Sequence, residues 1–224
     1  MSSAGRISCL EGYDRWAPSY PQVPGNPLMR LEQELMLREW PRVAGACALD
    51  LACGSGRYTK LLVEGGAASV IALDFSGPML ARVTGAARVR ATMTRLPFRE
   101  GAFDAVVCGL AIGHIPDLRP WAREVARVLR RGGTLLYSDF HPEAAKAGLK
   151  RSFTDEHNQM HTLPHYGHEI RTQREYVRAA GLGVAALHEG RAGIDLREDF
   201  PGSADFYQRW RALPLVLVVR AVKS

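Results

Sequence analysis

The chain has 224 residues, 46% of them hydrophobic, and 29 lysines and arginines against 23 acidic residues give it a formal charge of +6. That balance excludes a disordered or collagen-like chain and is enough to build a sizeable core. The longest apolar run, Ala212–Val219, is broken by Pro214 and falls short of the ~20 residues a membrane helix needs.

Met1–Arg15 mixes charge, Gly and Ser without the hydrophobic stretch of a secretory signal, so a cytoplasmic protein is expected. An N-terminal cap covers about residues 1–45. Within it a Pro- and aromatic-containing segment, Tyr13–Pro27, leads into an amphipathic helix whose apolar positions are Leu28, Leu31, Leu35 and Leu37–Trp40. From Ala46 short apolar runs end in Gly or Asp and are each followed by a helical pattern. Strands are predicted at Cys47–Leu51, Val70–Leu73, Val89–Thr92, Ala105–Gly109 and Gly133–Ser138, with helices at Tyr58–Glu64, Pro78–Gly85 and Pro120–Leu129. Runs that are apolar throughout are buried on both faces, as in a parallel sheet. Gly132-Gly133 is read as closing the long helix and opening the fifth strand. After Asp139 come a polar, His-rich stretch, Lys146–Ile170, and a helix at Thr172–Ala180. Two last strands, Val184–Glu189 and Leu215–Val219, are expected to pair antiparallel at the sheet end. The chain reads as a single α/β domain, 1–224, with lid or substrate insertions at about 146–170 and 191–211.

Cys9, Cys47, Cys53 and Cys108 form no C-x-x-C pair and are expected to be free thiols. Arg119, Arg123, Arg127 and Arg130-Arg131 fall at helical spacing and read as a solvated face. His157 and His161 are four apart and would share a helix face, but Pro164 interrupts the stretch that continues to His165 and His168. It is therefore read as a polar lid and not as a metal site.

The strongest signal is Leu49–Arg57, L-D-L-A-C-G-S-G-R, an apolar strand running into Gly54-Ser55-Gly56 and then a helix. Glycine allows the tight path and close ligand approach, and the helix N-terminus offers unpaired N–H groups. A dinucleotide fingerprint would have a glycine where Thr59 stands, so the ligand is left open as nucleotide-like. Asp74 follows the next strand, 20 residues beyond Gly54, at the spacing of a carboxylate that accepts both ribose hydroxyls.

With Y-D-R-W-A-P-S-Y at Tyr13–Tyr20, L-D-L-A-C-G-S-G-R, A-L-D-F-S at Ala72–Ser76, L-P-F-R-E-G-A-F-D-A-V at Leu96–Val106, H-I-P-D at His114–Asp117 and R-V-L-R-R-G-G at Arg127–Gly133, the chain resembles the class I S-adenosylmethionine-dependent methyltransferases that act on small molecules, related to the ubiquinone/menaquinone and biotin-pathway enzymes. The resemblance implies a Rossmann-like seven-stranded sheet, mostly parallel with an antiparallel last strand and helices on both faces. It also implies S-adenosylmethionine as methyl donor, with S-adenosylhomocysteine as product. Asp50, Ala52, Cys53, Gly54, Ser55 and Gly56 match the loop under the methionine and ribose. Asp74 matches the ribose ligand, with Phe75 and Met79 beside the adenosine. Thr92 and Met93 match the adenine-edge segment, and Cys108, Gly109 and Leu110 the strand end facing the sulfonium. Tyr13 and Tyr20 look like aromatics that fold over the cofactor. Ala52 departs from the usual first glycine, and Thr92 from the usual Asp.

His114, just past the fourth strand, is the expected general base, with Asp139 after the fifth strand as its partner. The acceptor is expected to be a secondary metabolite or cofactor precursor, with O-methylation ranked ahead of C- or N-methylation. An acidic acyl-carrier protein is kept as an alternative bearer, since biotin-pathway relatives use one and this chain is basic. Nucleic acid is ranked lower, because Cys108-Gly109-Leu110-Ala111 is not the N-P-P-Y-like motif of base-modifying enzymes. An NAD-dependent oxidoreductase and a non-catalytic cofactor-binding protein are the remaining alternatives.

Overall fold

The computed structural model describes residues 7–194 and 202–224, so the expectations for 1–6 and for 195–201 lie outside the described residues. Seven strands form one sheet in the order β3-β2-β1-β4-β5-β9-β8: β1 (Cys47–Leu51), β2 (Ser69–Asp74), β3 (Ala87–Arg90), β4 (Phe103–Cys108), β5 (Leu129–Phe140), β8 (Leu182–Arg191) and β9 (Pro214–Lys223). The first five are mutually parallel, whereas β9 runs antiparallel to both β5 and β8. This is the expected mostly parallel sheet, with its last two strands paired antiparallel at the end.

Alternation along each strand supplies two cores. Leu49, Val106, Leu135 and Leu217 point to the face covered by α5 (Leu118–Val128) and α7 (Ile170–Ala179). Ala48, Val107, Leu136 and Val218 point to the face covered by α2 (Pro27–Arg38) and α3 (Arg57–Glu64). Each fully buried Leu or Val contributes roughly 1.5–3 kcal/mol, so both stripes are needed to hold the sheet flat between its helices. Local signals set the helix starts. Asn26 caps α2 by accepting from Met29 N at 2.9 Å, with Pro27 at the first turn, and Asp117 caps α5 through Arg119 N.

Several boundaries differ from expectation. α5 ends at Val128 and Leu129 is already strand, because Leu129 pairs with Phe103 before the ladder shifts register. β3 begins at Ala87 and ends at Arg90, which leaves Thr92 and Met93 in the loop beyond it. The helix after β2, α4 (Gly77–Ala81), is shorter than predicted. The cap carries an additional helix, α1 (Cys9–Trp16), and the second insertion carries α8 (Ser203–Trp210), whose Trp210 enters the core. A short helix, α6 (Pro142–Lys146), leads into the first insertion, which holds a hairpin of β6 (Ser152–Thr154) and β7 (Met160–Thr162). Asn158 turns that hairpin at φ +56°, and Asp155 braces it by accepting from His157 N, Gln159 N and the His161 ring. His157 and His161 therefore do not share a helix face.

Candidate active site

Strand order reverses between β1 and β4, and at such a switch point the loops leaving the carboxyl ends of the strands diverge to form a crevice. A cavity of about 200 Å³ lies there. The loop after β1 is shaped by three left-handed residues, Ala52 (φ +57°), Gly54 (φ +55°) and Gly56 (φ +93°). Gly54 sits beneath the Tyr20 ring, where a Cβ would meet it only at ordinary contact distance, 3.5 Å, so it is the left-handed backbone that favours glycine there. Ala52 pays roughly 1–2 kcal/mol for its conformation. Thr59 occupies the position of the missing third glycine. Its hydroxyl donates to Asp50 Oδ2 at 2.6 Å, tying α3 to β1. Burial pushes the Asp50 carboxyl up to about 7 against the pull of that hydrogen bond.

Asp74, at the end of β2, is held by two backbone N–H groups, Gly54 to Oδ2 and Ser76 to Oδ1, both at 2.9 Å. Burial raises its pKa while these amides oppose the rise. Each oxygen retains a lone pair, and the residue lines the cavity. Such a carboxylate fits a vicinal diol, and Phe75, Ala91 and Met93 supply apolar surface beside it for a flat base. The residues present therefore fit an adenosine-bearing cofactor.

Of the expected cofactor residues, Tyr13, Tyr20, Ala52, Gly54, Asp74, Phe75, Thr92, Met93, Gly109 and Leu110 line the cavity. The other six stand behind it. Asp50 and Cys108 are buried beneath the strand ends, and Cys53 packs with Leu80 and Val83. Ser55 donates to Pro21 O, Gly56 starts α3, and Met79 packs under Tyr13. Cys9, Thr94, Ala111 and Ile115 also line the cavity and carried no signal in the sequence.

His114 lies where expected, but not as a free base. Its Nδ1 faces the Pro164 carbonyl at 3.0 Å, and a carbonyl only accepts, so Nδ1 carries the proton. Nε2 then accepts from the Tyr13 hydroxyl at 2.7 Å, and Cys9 Sγ lies 3.3 Å from Nδ1. Burial, followed by the charge of Arg151, pushes the imidazole down to about 3. His114 thus joins the cap to the lid. Asp139 does not touch it. That carboxylate accepts from Gly113 N, Phe140 N at 2.7 Å, Arg151 Nη2 at 3.0 Å and His165 Nε2 at 3.2 Å. Burial works to raise its pKa, but His165 and Arg151 outweigh it and hold the group at about 2. The expected His114–Asp139 pair is replaced by a His165–Asp139 pair, because Tyr13 and Pro164 claim both nitrogens of His114.

Residues 49–137 match the family model described as a methyltransferase domain. That match covers 89 of the 224 residues, and over them the chain resembles the methyltransferases. A demethylmenaquinone methyltransferase of Mycolicibacterium paratuberculosis is 40% identical over 124 residues, 51% of this chain and 53% of the relative. A Haemophilus influenzae protein is 28% identical over 183 residues, 74% of this chain and 72% of the relative. The chain spans about half the length of the demethylmenaquinone methyltransferases it matches. The fold matches that of an S-adenosylmethionine-dependent methyltransferase from Mesorhizobium loti at TM-score 0.70 and 22% identity, covering 86% of this chain and 98% of the other.

The site has a further polar group that the sequence concealed. Glu32 of α2 is fully buried and accepts from Arg57 Nη2 at 2.7 Å, Tyr58 OH at 2.8 Å and Ser138 Oγ at 2.5 Å. Ser138 Oγ in turn accepts from Leu110 N at 2.9 Å, at a left-handed non-glycine residue (φ +53°) on the cavity wall. Gly109 beside it has no room for a Cβ, which would strike the Tyr58 ring. Among the described residues, no group of three or more His, Cys, Asp or Glu is placed to hold a metal ion, and no helix is long and apolar enough to cross a membrane.

Proposed function

We propose that this chain is an S-adenosylmethionine-dependent methyltransferase that transfers a methyl group to a small-molecule acceptor, a secondary metabolite or cofactor precursor, with oxygen the favoured acceptor atom over carbon or nitrogen. The observation that carries the donor site is Asp74, fixed by the amides of Gly54 and Ser76 with its remaining lone pairs at the cavity. Bound there, S-adenosylmethionine supplies an electrophilic methyl group. The chain's own task is then to hold the nucleophile in line and keep water out, which supplies much of the rate in such displacements. Tyr13 and Tyr20 close one side of the cavity, and Leu110, pinned through Ser138 to Glu32, shapes the other. His114 serves in this reading to clamp α1 to the lid at Pro164. The demethylmenaquinone methyltransferases among the relatives lend weight to a cofactor precursor as acceptor. Four free thiols support a reducing, cytoplasmic setting.

The test is calorimetric titration of S-adenosylmethionine and S-adenosylhomocysteine into wild type and Asp74→Ala, with NAD as control. Micromolar binding that the substitution abolishes is expected. It would be followed by a screen of phenolic and carboxylic acceptors for the mass gain of one methyl group. Preference for NAD, or donor binding indifferent to Asp74, would overturn the reading.

A further inference from the structure

A second cavity, of about 400 Å³, lies between the end of α6 and the loop that follows β7, bounded by Lys146, Leu149, Arg151, Thr162 and Leu163. His165 is on its wall. His114 lines the donor cavity, and the His165 and His114 rings stand edge to face with centroids 6.3 Å apart, so the two cavities adjoin through this ring pair. Resting on the donor site argued above, we propose that this cavity receives the acceptor and that His165, oriented by Asp139, is the general base that takes the acceptor's proton.

Geometry supports this assignment. Asp139 Oδ1 can only accept, so His165 Nε2 carries a hydrogen toward it at 3.2 Å and the free lone pair sits on Nδ1. His165 makes no other side-chain hydrogen bond among the described residues, whereas both nitrogens of His114 are engaged. The pair is also built in. Gly113 N donates to Asp139 Oδ2, and Tyr166 N donates to Gly113 O at 2.7 Å, which anchors the residue next to His165. A Cβ on Gly113 would collide with the His165 ring and lie 2.8 Å from Asp139 Oδ2, so only glycine lets the imidazole reach the carboxylate. The Phe140 ring lies 5.0 Å from the imidazole and fixes its plane. Arg151 shares Oδ1 and keeps the carboxylate ionised.

The proton inventory closes within the chain. The acceptor's O–H bond breaks, its proton goes to Nδ1 of His165, and the electron pair stays on the oxygen. The imidazolium so formed presents its Nε2–H to Asp139, which remains ionised and is a positioning residue. The charged or titratable groups facing His165 are Asp139 from β5, Arg151 before β6, His114 after β4 and Lys146 of α6 at the cavity rim.

The assay is carbethoxylation by diethyl pyrocarbonate, mapped by mass spectrometry on the protein loaded with S-adenosylhomocysteine, together with imidazole nitrogen NMR. Modification of His165 with His114 protected is expected, as is an Nε2–H tautomer for His165 that becomes a mixture in Asp139→Asn. His165→Gln should cut turnover of the acceptor returned by the screen at least about a hundredfold and remove the acid limb of kcat/KM, leaving S-adenosylhomocysteine affinity unchanged. His114→Gln should keep the limb. Modification of His114 in place of His165, a lone pair found on Nε2 of His165, or an acid limb that survives His165→Gln would each overturn the assignment. If S-adenosylhomocysteine fails to bind wild type, the donor reading fails instead, and the modification pattern on unloaded protein still decides the base.

Discussion

Truncating Glu32 to alanine removes the one carboxylate that neutralises Arg57, and both side chains are almost wholly buried, at 0% and 10% exposure. Burial alone would lower the Arg57 pKa, and the Glu32 charge more than reverses that; a guanidinium is basic enough to stay charged when its partner is removed. Stranding a buried charge in this way costs about 3–5 kcal/mol, against roughly 0–1 kcal/mol for an exposed pair. The Tyr58 and Ser138 hydroxyls lose their acceptor as well. Total stabilities are about 5–15 kcal/mol, so Glu32→Ala should give up a large fraction. With a shift of roughly 2–4 °C per kcal/mol for a chain of this size, Tm should fall by about 10 °C. Urea unfolding of Glu32→Ala, Arg57→Ala and the double variant measures the coupling directly, and the double variant should lose less than the sum of the singles. Because Ser138 also holds Leu110 N, S-adenosylhomocysteine should bind more weakly to folded Glu32→Ala. A loss below about 1 kcal/mol, or strict additivity in the cycle, would refute the reasoning.

Three further outcomes can be checked. Ala52→Gly should raise stability by up to about 1 kcal/mol in thermal unfolding, since the relief of a left-handed alanine exceeds the entropy a glycine adds to the unfolded chain; a loss of that size would contradict the strain. For His114, whose folded pKa of about 3 lies below the ordinary 6.5, the unfolded chain gains the proton first, so stability falls as pH drops from 6.5 toward 3, by about 1.4 kcal/mol per pH unit at the steepest. Asp50, raised from 3.8 to about 7, acts oppositely and costs stability as pH rises between those values. Urea midpoints across the range should show the acid loss flattened in His114→Gln and the rise-side loss flattened in Asp50→Asn; unchanged slopes would contradict both assignments. Gly113→Ala should displace His165 from Asp139, seen as loss of the single Nε2–H tautomer with S-adenosylhomocysteine binding retained; an unaltered tautomer would show that the lid tolerates the extra methyl group.

The parallel strands were legible because Val70–Leu73 and Ala105–Cys108 are apolar on both faces, and only a sheet covered twice makes use of that. The glycine loop and Asp74 were legible because close backbone approach restricts which residues are allowed. Glu32 was not. In an amphipathic helix a charged residue beside Leu31 and Leu35 is normally assigned to solvent, and only the positions of Arg57, Tyr58 and Ser138 show otherwise. The partner of Asp139 was not legible for a related reason. Spacing brought a histidine and an aspartate to neighbouring strand ends, but pairing depends on which rotamers are already taken, and Tyr13 and Pro164 arrive from distant parts of the chain. The hairpin of β6 and β7 has strands of three residues, too short for alternation to register.

The cap and the lid close on the same imidazole, Tyr13 from one side and Pro164 from the other. A molecule leaving the donor cavity past His114 would disturb two hydrogen bonds that share one ring, and losing either leaves a buried nitrogen unsatisfied at a cost of about 1–3 kcal/mol, so movement of one segment is coupled to the hold on the other.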